Sequence, residues 1–530
     1  MKVNLMSRNL AGVIAVMLIV SSCGKKSALQ GDTVDATTDY VYQRIDEIAR
    51  NIKFPEVSGD TIDMIKFSGL HPDISGTKDF RPAFERAVRE IERRGGGVIY
   101  FRHTSGKQAW VKETDVYRFS GPMDLTSNLA ILLDPSIEIR FDTIRDNFMN
   151  EGDGVITRYE GTTIYGYSPL VRAFNKENII IKAVKGNGAQ PVISGNGEHW
   201  QSWARERDIA DMEVGETPGY IHLREVNNQN IPLRERRFTN MALRPDLVQF
   251  FMCRNVLMDG IFLKESPFWV VHSVFSENLV FRNLLYDAQV VNNDGIDVES
   301  SKNVLIENVI FNNHDDNIVI KSGRDQEGMF GVDITGTVLE DISSPYIERN
   351  RLGGKTENVA VRNCVFHGHH AVCIGSEMSG GASDIYIADC FSPQYVYMAL
   401  YLKGSRKRGG EVHDIYMVNS RFNNVLNDVV GLVPNYDGDT TSLYPSWFHD
   451  IYLHGVKVKR ANYGIRSLGW PDREINDVYI RDLEVAEVVN APFIIRQSRN
   501  IRLENTWFGG MRVDTIMHHH DELYKPARQN

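Results

Sequence analysis

Residues Asn292 to Lys321 read NNDGIDVESSKNVLIENVIFNNHDDNIVIK. Within this stretch Val304, Ile306, Val309 and Phe311 are set among polar residues in the period-2 pattern of half-buried strand. Carboxylates flank the segment: Asp294 before it, and the adjacent pair Asp315 and Asp316 after it. The first and second sites are 21 residues apart. A spacing in the low twenties is about one turn of a parallel β-solenoid, in which the chain returns to the same face about 4.8 Å higher. The three carboxylates then gather on one wall. Their mutual repulsion raises the proton affinity of one, which is left protonated to act as an acid. A paired acid and base is what glycoside hydrolysis requires.

The same phrase, Asn or Asp followed by alternating apolar residues, returns along the chain. It opens at Asn178, Asn255, Asn278, Asn303 and Asn358, then at Asp384, Asp414, Asp450, Asp477 and Asn500. Asn and Asp suit the bend before each strand, because their side chains bond nearby backbone and tolerate left-handed conformations. A β-sandwich would repeat every 8–12 residues or so, whereas gaps such as Asn255 to Asn278 and Asp477 to Asn500 are 23. The expected fold is therefore an all-β, single-stranded parallel β-helix over residues 61–517. Asp297 reads as a further bend residue. The wider gaps, Asn303 to Asn358 and Asp414 to Asp450, mark insertions, the first at about Gln326 to Gly354. Such loops decorate the binding face of a solenoid.

Upstream, Asp79 to Arg94 reads as one helix, with Asp79 as N-cap, Pro82 in the first turn and Gly95 to Gly97 as its stop. Val98 to Phe101 then forms the first strand, and the helix caps the open end of the stack. Residues 1–23 read as an export signal: Lys2 and Arg8 precede an apolar run too short to span a bilayer, and Val20-Ser21-Ser22-Cys23 resembles a lipobox with Cys23 as the lipidation site. Residues 24–60 form a tether and N-terminal segment, and 518–530 a tail. The expected location is the bacterial cell envelope, with the membrane contacted through the lipid and the chain a monomer. The net charge of −10 argues against nucleic acid as a partner. Cys253, Cys364, Cys373 and Cys390 read as buried thiols, and no ligand spacing calls for a metal or other cofactor. His518 to His520 is too short a run for a metal site.

With these motifs in order, the chain resembles the polygalacturonases, the pectin-degrading glycoside hydrolases of family 28. The resemblance rests on Asn292 to Asp297, on Asp315-Asp316 with Ile318 to Asp325, on Gly368-His369, on Ile374 to Glu377, and on Gly195-Asn196-Gly197. It implies a right-handed parallel β-helix and single-displacement hydrolysis with inversion. Asp315 would be the general acid, with Asp294 and Asp316 holding and deprotonating water. His369 would tune the acid, and Asn292, Lys403 and Tyr436 would touch substrate.

Two departures stand out against that resemblance. His370 occupies the place of the usual second glycine, and Tyr401 the place of an arginine that, with Lys403, grips a uronate carboxylate. Tyrosine offers one hydroxyl and a ring instead of a bidentate fork. Arg406, Lys407 and Arg408 are the candidates for replacement charge. Asp315 and Asp316 can both face substrate only if the chain bends there, since neighbours on a strand point oppositely. Trp200 and Trp203 read as gap fillers between solenoid and loops. The insertions imply one closed end of the cleft and exo action. Another uronate-bearing pectic linkage and a non-catalytic glycan binder are the alternatives.

Overall fold

The computed structural model describes residues 36–105, 114–149, 153–186, 189–202, 219–239, 243–339, 344–517 and 522–523. The export signal with Cys23, most of the tether, Trp203 and the His518 to His520 run lie outside the described residues.

The chain is a right-handed parallel β-helix. One wall stacks the repeated phrase in continuous register: Ile179 pairs with Val256, then Leu279, Val304, Val359, Ile385, Ile415, Ile451, Val478 and Ile501. Every one of these side chains is fully buried, each burial contributing about 1.5–3 kcal/mol. The residue before each is left-handed, with φ between +51° and +59°, as the Asn/Asp choice requires.

Those asparagines also bond to one another. The amide of Asn255 donates to Asn178, Asn278 to Asn255, Asn303 to Asn278 and Asn358 to Asn303, at 2.9–3.4 Å. From Asp384 to Asp477 the residue is a carboxylate, which cannot donate. The donor is then the tyrosine two places on: Tyr386 to Asp384, Tyr416 to Asp414, Tyr452 to Asp450 and Tyr479 to Asp477. The rings of Tyr386, Tyr416, Tyr452 and Tyr479 stack coil on coil, with centroids 4.6–5.2 Å apart.

A second wall carries the site. Ile296–Glu299 pairs with Ile318–Lys321, that with Val372–Ile374, and that with Leu400–Lys403. Cys253, Cys364, Cys373 and Cys390 are free and buried. Trp200 is buried with its ring 5.6 Å from Phe148, filling a gap as expected.

Several expectations are corrected. Arg81–Arg94 is the helix, and Phe80 is its N-cap residue. Asp79 accepts from the amides of Arg81 and Ser120 instead, joining the helix to a strand turn. The first strand is Thr61–Asp63, which pairs with Gly97–Phe101. Asp297 is no bend residue: it sits inside strand Ile296–Glu299 and is fully buried. The first insertion is not all loop, but holds helix Asp325–Phe330 and a small antiparallel sheet of Val332–Asp333, Ile347–Glu348 and Arg351–Leu352. Within the expected tether and N-terminal segment, Ala36–Asn51 is a helix. Its Val41, Ile45 and Ile48, with Ile52 just beyond, pack on Leu257, Val280, Leu305, Ala360, Tyr386 and Tyr416, which belong to six successive coils. The other end of the stack is covered by Met511–Met517, antiparallel to Ser498–Phe508.

Candidate active site

Because the strands of the second wall stack in register, so do the turns that lead into them. Asp294 precedes Ile296–Glu299, Asp315 and Asp316 precede Ile318–Lys321, and His369 and His370 precede Val372–Ile374. The expected bend at Asp315 is present, and Asn313 pins it. The Asn313 amide donates to the carbonyls of Asn293, Asp315 and Asp316 at 2.9–3.0 Å. Gly295 is needed for the close approach: a Cβ there would lie 2.4 Å from the Asn317 carbonyl oxygen.

Asp316 is the hub. His369 Nδ1 lies 3.0 Å from its Oδ1, which His370 Nδ1 also contacts, and Lys403 Nζ donates to Oδ2 at 2.9 Å. Burial opposes ionisation of Asp316, but the Lys403 ammonium and the two histidines outweigh it and hold the carboxyl well below its usual range. Burial likewise opposes protonation of His369, yet Asp316 and Asp315 raise it; His370, deeper, is lowered by burial. Asp315 Oδ1 lies 3.3 Å from His369 Nδ1 and accepts the Asp316 amide at 3.0 Å. Its side chain is 27% exposed, against 7% for Asp294 and 2% for Asp316, so Asp315 is the carboxyl most open to a ligand.

Asp294 and Asp297 flank the buried Lys321 ammonium at 3.8 and 3.6 Å. Burial, then the charges of Asp297 and Asp315, raise Asp294 well above the ordinary carboxyl value. Asp294 is thus a carboxyl that the cluster favours in its protonated form. Burial also lifts Asp297 to about 8, against the pull of Lys321 and His272. A raised carboxyl contributes its full stability below its unfolded value near about 4 and loses it as pH climbs through the folded value. Wild type should therefore lose stability relative to Asp297→Asn between about pH 4 and 8, by up to about 1.4 kcal/mol per pH unit. Melting curves across that range check this; a constant gap would contradict it.

The remaining predicted residues divide. Lys403 Nζ lies 5.5 Å over the Tyr436 ring and 5.6 Å over Tyr401, so all three join the site. Asn292 is half-buried and its side chain is engaged by Arg244 at 2.7 Å. The basic run does not supply free charge as expected: Arg406 is forked onto Asp472 at 2.6 and 2.7 Å, and buried Arg408 pairs with Glu377 at 3.2 Å. Only Lys407 of the three is exposed. Asp316, His370 and Cys373 place donor atoms within 4.8 Å of one another, a spacing that a metal ion could use. The Lys403 ammonium already fills the cationic place beside Asp316.

Sequence reasoning gave no role to Lys321, Glu377 or Arg324. Glu377 gathers Lys321, Arg408 and Arg324 at 3.1–3.4 Å. Lys321 and Arg324 stand in the Ile318 to Asp325 motif and Glu377 in Ile374 to Glu377, but only their convergence reveals a shared charge network. Hairpin Val155–Tyr159 and Thr162–Gly166 closes over it. A Cβ on Gly161, at the hairpin tip, would meet Arg324 and Glu377 at 2.7–3.0 Å.

Residues 153–462 match the sequence profile described as glycosyl hydrolases family 28. The chain belongs to that family. This family 28 chain is 28% identical over 178 residues to a probable polygalacturonase of Vitis vinifera, covering 33% of the chain and 32% of that protein. It is 24% identical over 326 residues to an exo-poly-alpha-D-galacturonosidase of Dickeya chrysanthemi, covering 56% of the chain and 49% of that protein. It thus spans about a third to about a half of the length of these curated relatives. A crystal structure described as a hyperthermoactive exopolygalacturonase from Thermotoga maritima matches 92% of the chain and all of that protein, with a TM-score of 0.77 and 28% identity.

Proposed function

We propose that this family 28 chain is an exo-acting hydrolase of galacturonic-acid-containing pectic chains that cuts by single displacement with inversion. The observation that carries this reading is the convergence of Asp294, Asp315 and Asp316 with His369 and Lys403 on one wall. Asp315, the most open carboxyl and the one whose Oδ1 lies 3.3 Å from His369, gives its proton to the glycosidic oxygen. Asp316, kept ionised, and Asp294, once it has lost its proton, hold and deprotonate the attacking water, the division of labour an inverting pair requires. The exo mode is supported by the hairpin and the Asp325–Phe330 insertion, which pack together beside Arg324 and Glu377, next to the buried Lys321, and by the exo activity named for the Dickeya and Thermotoga relatives. We also propose that Cys23 carries a lipid that holds the enzyme at the cell envelope.

A second reading is a different uronate-bearing pectic linkage, favoured by Tyr401 standing where a guanidinium fork would grip a carboxylate. Timed digests of polygalacturonate and of pectic oligosaccharides test both. The first reading expects short products from the outset, with new reducing ends whose anomeric form is opposite to that of the bond cut. Mid-length products early in the digest would remove exo action, retained configuration would remove inversion, and binding without new reducing ends would leave a glycan binder.

A further inference from the structure

We propose that Tyr395 and Tyr397 form an aromatic subsite that stacks on a pyranose ring of the substrate beside the cleavage point, whatever the charge on that ring. The inference deepens the reading of the site as a pectic hydrolase and rests on it. Tyr395 and Tyr397 are 46% and 40% exposed, whereas Val396 between them is fully buried. That alternation places both rings on one face of an extended segment.

The segment lies directly against the catalytic turn. The Gly368 amide donates to the Tyr395 carbonyl at 3.2 Å, and the Tyr397 amide to the His369 carbonyl at 2.8 Å. The Tyr397 ring runs parallel to His369, with an interplanar angle of 8° and centroids 5.6 Å apart. His369 in turn reaches both Asp315 and Asp316. Tyr397 therefore stands one ring away from the proposed acid.

The platform is rigid before any ligand arrives. From the next coil, Asn423 and Asn424 amide side chains donate to the carbonyls of Pro393 and Gln394 at 2.6 and 2.8 Å. The amides of Leu426 and Asn427 donate to the carbonyls of Val396 and Tyr397 at 2.9 and 2.8 Å, and Val396 donates to Asn424 at 3.0 Å. Exposing two aromatic rings on so firmly bonded a loop forgoes burial and gains a preorganised surface, which lowers the ordering cost of binding. The carbon–hydrogen face of a pyranose is the ligand such rings take, and Tyr keeps a hydroxyl for the sugar's own hydroxyls.

Charge on the sugar would be of little account here. Lys403 is already bonded to Asp316, and Arg408, Arg324 and Lys321 already share Glu377. Stacking accepts a free uronate, its methyl ester or a neutral sugar alike.

Calorimetry with trigalacturonate and its methyl ester, on the turnover-impaired Asp315→Asn protein and on the same protein carrying Tyr395→Ala, Tyr397→Ala or Tyr397→Phe, tests the assignment. Each alanine variant should weaken binding of both ligands by about 5- to 10-fold, and Tyr397→Phe by less than about 2-fold. The loss should be the same at low and high salt, because it is not a charge effect. The loop's bonds are made by its backbone, so the variants should fold, which melting curves verify. Unchanged affinity in both alanine variants would overturn the subsite, as would a loss confined to the free acid or to low salt. Failure of the Asp315→Asn protein with both tyrosines intact to bind either sugar would instead remove the pectic reading itself.

Discussion

Asp315→Asn should lower turnover on a natural glycosidic bond by about 10²- to 10⁴-fold, the contribution of a positioned general acid. The same variant should lose less than about tenfold on an aryl galacturonide, whose leaving group departs without a proton. Its stability should stay within about 0.5 kcal/mol of wild type. The side chain is partly exposed, and His369 keeps its contact with Asp316. Asp316→Asn should differ in kind. Turnover falls on both substrates, and the Lys403 ammonium, largely shielded from solvent, loses its carboxylate at 2.9 Å. Breaking such a pair costs about 3–5 kcal/mol. Kinetics on the two substrates with parallel denaturant curves separate the cases. Should the aryl substrate rescue Asp294→Asn and not Asp315→Asn, the acid is Asp294, whose carboxyl burial raises well above the ordinary value.

Glu327→Ala should lower stability by about 3–5 kcal/mol. Glu327 lies in the short helix of the first insertion, and its carboxylate contacts both Arg158 and Arg236. All three side chains are at most 1% exposed. The Thr163 amide adds bonds at 3.1 Å to each oxygen, and the Glu327 amide donates to Asn227. One residue thus fastens the hairpin, the helix Gly219–Asn228 and the insertion together. Its removal strands two buried guanidiniums, although Arg158 keeps Glu299. Hydrogen exchange and limited proteolysis should rise first at residues 155–166 and 325–352. Protection there equal to wild type would contradict the account. Adding Arg236→Leu should restore part of the loss, since no unpaired charge then remains at that position.

The fold was legible because solenoid packing repeats one physical demand. Each coil needs a left-handed residue before a strand and an apolar residue after it, and ten Asn or Asp phrases declare both. The carboxylate trio was legible for the same reason, since coil length converts spacing into height. Helix Ala36–Asn51 was less so. Val41, Ile45, Ile48 and Ile52 carry a helical period, but a polar stretch ahead of a repeat reads as spacer until the wall it covers is known. The Asp297 environment and the Glu377 network were hidden because alternation tells which side a residue faces, not which charges meet there. Tyr395 and Tyr397 flank a buried valine, a pattern that also fits any edge strand.

A column of coils joined only to their neighbours tends to fray from whichever end is weakest, each turn yielding almost independently. The helix laid across Leu257, Val280, Leu305, Ala360, Tyr386 and Tyr416 is a splint over that column. It makes the loss of any one of those turns a loss for all six, so the middle of the barrel-stave stack melts as a block and the catalytic turns within it share its fate.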